Sequence, residues 1–227
     1  FNYAGLLYSL NDFKIARKHY EKVLHTLQES AKQDPEVYKP DLARTLNNFG
    51  ILLRGINELK QARSYYEVAL QIYQELGKKN PEMYTSEAAM VLNNLGVLLR
   101  CTNEFQQAQD NLKEALQVYR KLDEKTPRAY KPEVAMALNN LALLYLDLED
   151  EEEAENSYQE AHDIYQDLAS HHPRAYEIDY AQLLVMGFNL LGRPKEYLDE
   201  AKAILDKYSE HPKAQELLNL VEQLDKR

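Results

Sequence analysis

The chain has 227 residues, a formal net charge of −10 and 28% charged residues. That balance disfavours a protein that neutralises nucleic-acid phosphates, which needs a basic face. The lone cysteine, Cys101, leaves no internal disulfide and fits a reducing, cytoplasmic compartment. The longest apolar runs, such as LALLYL at 141–146, fall far short of the roughly 20 residues a membrane-spanning helix needs.

In chain order, residues 1–8 read as the back half of a helix. The chain therefore opens in mid-repeat, and its natural start is expected upstream. From residue 35 a 46-residue period governs the pattern. Units 35–80 and 81–126 are identical at 21 of 46 positions, and 11 positions agree across these two and 127–172. The matches include Pro35, Pro81 and Pro127; Tyr38, Tyr84 and Tyr130; Ala62, Ala108 and Ala154; and Ala69, Ala115 and Ala161. Asn2, Ala16 and Tyr20 extend the register towards the N-terminus, and Pro173 and Tyr176 extend it towards the C-terminus. A repeat of this length predicts a solenoid, each unit too small to bury a core alone.

Each unit predicts two helices. In 35–80, Leu42, Leu46, Phe49 and Leu53 recur at helical spacing, and Pro40 suits a first turn. This places helix A at about 40–54, with 35–38 as a turn. Asn57 is expected to cap helix B, about 58–76, with Gly77 as its stop. Gly50, Gly96 and Ala142 are expected to let helix A approach Ala62, Ala108 and Ala154 on helix B. The last units differ: 195–208 predicts a shorter helix B, and 212–227 a capping helix over the end of the core.

A small residue on helix A, an alanine 12 positions later and another 7 beyond resembles the tetratricopeptide repeat. Gly50, Ala62 and Ala69 carry the resemblance, as do Gly96, Ala108 and Ala115, and Ala142, Ala154 and Ala161. The long units with LNNLG or LNNLA on helix A are similar to kinesin-light-chain-type repeats. The resemblance implies an all-α, right-handed superhelical solenoid of antiparallel helix pairs. Its units would be 1–34 (incomplete), 35–80, 81–126, 127–172 and 173–211, followed by the cap. It also implies a non-enzymatic scaffold that binds a partner protein or peptide in a concave groove.

That resemblance suggests a use for the repeated asparagine pairs. Asn47, Asn93 and Asn139 are expected to form an amide ladder along the groove, donating to and accepting from a partner's main chain. Ile51, Val97, Leu143, Met90 and Met136 would give it an apolar floor. Arg44, Arg54 and Arg100 at the edges would favour acidic residues in the partner. The second asparagines, Asn48, Asn94 and Asn140, are expected to link helices. The lysines that chaperone-tail-binding members of the family need along this row are absent, which implies weak binding of such a tail.

Other candidates carry less. Seven acidic residues in DLEDEEEAE at 147–155 suit the start of a helix and lack the spacing of a calcium loop. His171 and His172 have no second ligand pair, His162 is expected to be exposed, and Cys101 has no histidine partner in sequence. No catalytic centre, metal site or cofactor is expected. Two alternatives to a free-standing adaptor remain: a sensor or scaffold region of a larger signalling protein, and self-assembly through the solenoid ends.

Overall fold

The computed structural model describes residues 13–226, and the helix expected over 1–8 lies outside them. Among the described residues there are ten helices and no strand, an all-α solenoid. The chain divides into two compact units, Phe1–Leu122 and Asp123–Arg227.

The first unit contains α1 (Phe13–Gln33), α2 (Pro35–Gly55), α3 (Leu59–Lys79), α4 (Pro81–Cys101) and most of α5 (Phe105–Lys125). Here the A helices begin earlier than expected. Pro35 and Pro81 occupy the first turns of α2 and α4, and Pro40 lies inside α2. One extended residue separates each helix B from the next helix A: Asp34 at φ −136° and Asn80 at φ −132°. The cause is the proline that follows, which pushes the preceding residue out of the helical region. A helix tolerates that proline at its start, where the missing N–H has no intrahelical acceptor. Helix α3 runs through Gly77 to Lys79, so Gly77 is not a stop. Nor does Asn57 cap α3. Asn57 and its register mate Asn103 adopt left-handed backbone at φ 63° and 60°, which turns helix A into helix B. Asparagine accepts that conformation better than most residues.

In this unit α1 packs on α2, α2 on α3 and α3 on α4, and α2 also touches α4. Ala16, Ala62, Ala69, Ala108 and Ala115 are fully buried, so the repeat alanines all mark helix crossings. A methyl on Gly50 would sit 2.6 Å from the Tyr66 ring, and one on Gly96 would sit 2.7 Å from Leu112. The small residue on helix A therefore makes room for a large helix-B side chain as well as for an alanine. Tyr20 and Tyr65 both stack on Phe49, at 5.2 and 5.0 Å between ring centroids. A clamp also recurs with the register. Arg17 holds Glu21 and Glu58, and Arg63 holds Glu67 and Glu104, each tying one helix B to the start of the next.

The second unit contains α6 (Lys131–Asp147), α7 (Glu151–His171), α8 (Pro173–Leu191), α9 (Lys195–Asp206) and α10 (Pro212–Leu224). Its first A helix does begin late. Pro132 takes the first turn, Pro127 stays in a turn with Arg128 at φ 70°, and Asp123 accepts the Tyr130 N–H at 3.1 Å. Asp150 caps α7 by accepting from the Glu153 N–H at 3.2 Å, and Glu151, Glu152 and Glu153 fill its first turn. Most of the acidic run is thus a helix start. The cap α10 packs on α8 and α9 and buries Ala214, Val221 and Leu224.

Candidate partner-binding face

Each helix A leaves one stripe half-open. On α2 it runs through Asp41, Asn48 and Ile51 beside the exposed Arg44. On α4 it is Glu87, Met90, Asn94 and Val97, and on α6 it is Glu133, Met136, Asn140 and Leu143. The spacing of 3, 4 and 3 residues keeps these side chains on one face. Of the residues expected on a partner-binding face, Arg44 is exposed, and Ile51, Val97, Leu143, Met90, Met136, Arg54 and Arg100 are half-buried.

The amides are the correction. Asn47 is 0% exposed and Asn93 2%, so neither lies open to a partner; Asn139 is half-buried, with an Oδ1 that has no hydrogen-bond partner among the described residues. The half-open members are the second asparagines, about 100° further round the helix. Helix A is covered from two sides, by its own helix B and, for α2, by α4 of the next repeat. The buried arc is therefore wider than the Leu46–Phe49–Leu53 stripe alone, and it takes in Asn47. Buried amides need partners. Asn94 Nδ2 donates to Asn47 Oδ1 at 2.9 Å, and Asn47 Nδ2 approaches Asn48 Oδ1 at 3.5 Å. The inter-helix link expected of the second amides is thus present at Asn94.

Sequence reasoning passed over an acidic row. Asp41, Glu87, Glu133 and Asp179 stand 46 residues apart, at the seventh position of each repeat, and all four are half-buried. Asp41 pairs with Arg44, and Asp179 accepts from Lys213 Nζ at 2.6 Å. Among the described residues, Glu87 accepts only the Ser86 hydroxyl, at 2.6 Å, and Glu133 keeps an oxygen that bonds nothing. A helix-B tyrosine accompanies these acids in each unit. Burial pushes the Tyr73 hydroxyl up to about 12; the charges of Glu87 and Asp41 add to the rise and Arg44 opposes it. Burial likewise raises Tyr165, with Asp179 and Glu133 adding. The signal was in the sequence as an acid recurring with the period, but it lay outside the asparagine motif.

Other groups are structural. His162 is buried, against the expectation of exposure; it touches the rings of Tyr158, Tyr180 and Tyr197, and its Nε2 lies 3.3 Å from the Tyr180 hydroxyl. Cys101 is exposed. Among the described residues no group of three or more His, Cys, Asp or Glu could hold a metal ion, and no helix is long and apolar enough to cross a membrane.

Comparison with known proteins accounts for the repeat. The family model for the tetratricopeptide repeat matches residues 1–75 and 87–167. Similar solved structures include BtubC (BKLC) from P. vanneervenii, at 23% identity and TM-score 0.62, covering 98% of this chain and 76% of that one. A thermophilic tetratricopeptide protein of Thermus thermophilus is 25% identical at TM-score 0.52, covering 97% and 94% of the two chains. A putative kinesin light chain from Podosopora anserina, with nearly identical TPR-like repeats, is 14% identical at TM-score 0.52, covering 97% and 90%. No curated protein matches.

Proposed function

Because the chain belongs to the tetratricopeptide repeat family, whose members generally act as protein–protein interaction scaffolds, we propose that it binds an extended segment of a partner protein along the half-open stripes of α2 and α4 in its first unit. One observation carries this reading. Three successive A helices present the same half-open sequence of acid, long side chain, asparagine and branched or leucine side chain. Apolar side chains such as Ile51, Val97 and Leu143, left half-exposed at a fixed period, gain by being covered. The neighbouring Asn48, Asn94 and Asn140 bring the donor and acceptor that a main chain needs. Arg54 and Arg100, near the C-terminal ends of α2 and α4, would meet any carboxylate arriving there.

The test is selection of random peptides displayed on phage against the wild-type chain. Peptides recovered should lose affinity for Met90→Ser/Val97→Ser, which leaves the charge unchanged. Covering two such side chains is worth about 2–4 kcal/mol, or roughly 30- to 1,000-fold. Peptides that bind this variant as well as wild type would place the interaction elsewhere.

A further inference from the structure

The second unit holds a cleft of about 370 Å³ between the last turns of α7 and α9, over the first half of α8. Helix α9 ends at Asp206 after 12 residues, where each earlier helix B has 21, and the cleft opens beside this early end. Its volume admits a small ligand or one side chain of another molecule.

The depth of the cleft is largely apolar and its rim is charged. Ala169, Tyr180 and Ile204 line it and are buried. Glu177 is answered from within the chain: one oxygen accepts from Lys207 Nζ at 2.8 Å, and the other from the Tyr208 hydroxyl at 2.7 Å. Lys207, the one cation of the lining, is thereby engaged. Glu200 lines the same cleft, is exposed, and meets no cation within ion-pair distance among the described residues. Two carboxylates against one ammonium leave the cleft with one uncompensated negative charge. The Tyr180 hydroxyl, 3.3 Å from His162 Nε2, keeps a lone pair for a further donor. An open carboxylate above buried aliphatic carbon matches a cation on an apolar stem, which can cover the carbon while its head stays near water. An ammonium brings three donors and no acceptor, so carboxylate and hydroxyl oxygens both suit it.

We propose that this cleft binds a primary alkylammonium group on a short apolar stem, of the kind that a lysine side chain or a free diamine presents. The ammonium pairs with Glu200 and donates to the Tyr180 hydroxyl, and the stem covers Ala169 and Ile204. The site is separate from the half-open stripes of α2 and α4, so either assignment can fail without the other.

The experiment titrates cadaverine, and separately Nα-acetyl-lysine methylamide, into the isotope-labelled chain and follows its backbone amide shifts by nuclear magnetic resonance, with glutarate as the counter-probe. Both amines should give saturable shifts centred on the residues of the cleft, with Kd on the order of 1 mM. Circular dichroism melts verify that each variant is folded. Ala203→Leu, at an exposed position of the lining, fills the cleft without changing charge and should weaken binding about 10-fold or more. Glu200→Gln should weaken it about 3- to 10-fold, the scale of one charged hydrogen bond near the surface. Glu196→Gln makes the same charge change in the first turn of α9, outside the cleft, and should leave affinity within about twofold. Tighter binding of the lysine amide would make the natural occupant a side chain of another protein, and tighter binding of cadaverine a free amine; both support the site. The absence of saturable shifts, equal losses in the two Glu→Gln variants, full affinity in Ala203→Leu, or tighter binding of glutarate would each overturn it.

Discussion

Repeats 35–80 and 127–172 share the register but solve three local problems differently. The first starts helix A at Pro35 and carries Pro40 inside it, whereas the second starts at Lys131 and leaves Pro127 in a turn. The first has Gly50 under Tyr66, and the second has Ala142 at the matching position, fully buried as its Tyr158 is. The first turns from helix A to B at Asn57, and the second turns at Glu149, φ 58°. On the open stripe Arg44 answers Asp41, and Met136 leaves Glu133 unanswered. What the repeats share lies between helices, where the shape of a neighbour dictates the residue. Apart from Gly50 and Ala142, the positions that differ lie at a joint or on the half-open stripe, free to vary with local backbone or with partner.

Five substitutions sharpen that comparison, from the largest expected effect to the smallest. Gly50→Ala forces a methyl to 2.6 Å from the Tyr66 ring and should cost about 1–3 kcal/mol in urea unfolding. Asn94→Ala deletes the donor to the buried Asn47 Oδ1 and should also cost about 1–3 kcal/mol. If it melts like wild type, that amide pair does not tie the A helices of 35–80 and 81–126 together. Gly77→Ala, with nothing within 4 Å, should stabilise by about 0.5–1 kcal/mol because glycine is the poorer helix former. Equal effects at Gly50 and Gly77 would remove the packing argument. Glu149→Asn should stabilise by about 0.5–1 kcal/mol, a part of the left-handed cost borne by a residue with a Cβ, while Asn57→Glu should lose a similar amount.

Acid exposes the inter-repeat clamps. The hydrogen bond from Arg63, and then that from Thr102, hold the Glu104 carboxyl below its ordinary value. A depressed folded pKa means a contribution fully present above the ordinary value near 4.5 and lost as pH falls through the lower folded one. Arg63→Gln should therefore lower stability near neutrality and flatten the acid limb of the stability–pH curve below about pH 4.5, so that variant and wild type converge in acid. The alkaline limb works in reverse. Burial raises Tyr73 to about 12, so its contribution is present below the ordinary value near 10 and lost as pH rises towards 12. Tyr73→Phe should remove that share of the alkaline unfolding seen by circular dichroism.

The period, the helix pairs and the family were legible because they are written in residues that pack: Ala62, Ala69, Gly50 and their mates recur at fixed spacing. Helix starts were legible only in part. Pro35 and Pro40 both suit a first turn, and nothing local to the sequence chooses between them. Asn47 was misplaced because a one-residue step turns a helix by about 100°, and the position of the next repeat's helix A decides whether that direction is open. The acidic row was visible as spacing. Which of its acids the chain neutralises was not, because Lys213, the partner of Asp179, arrives from another helix.

The central claim is that a partner segment lies on the half-open stripes of α2 and α4, and Met90→Ser/Val97→Ser tests it most directly. The measurement is the affinity of phage-selected peptides for this variant beside that for Val23→Ser/Val68→Ser, which removes two exposed apolar side chains from the B helices. The account predicts a loss of about 30- to 1,000-fold for Met90→Ser/Val97→Ser, with the control close to wild type. Equal affinities for the two variants would contradict it.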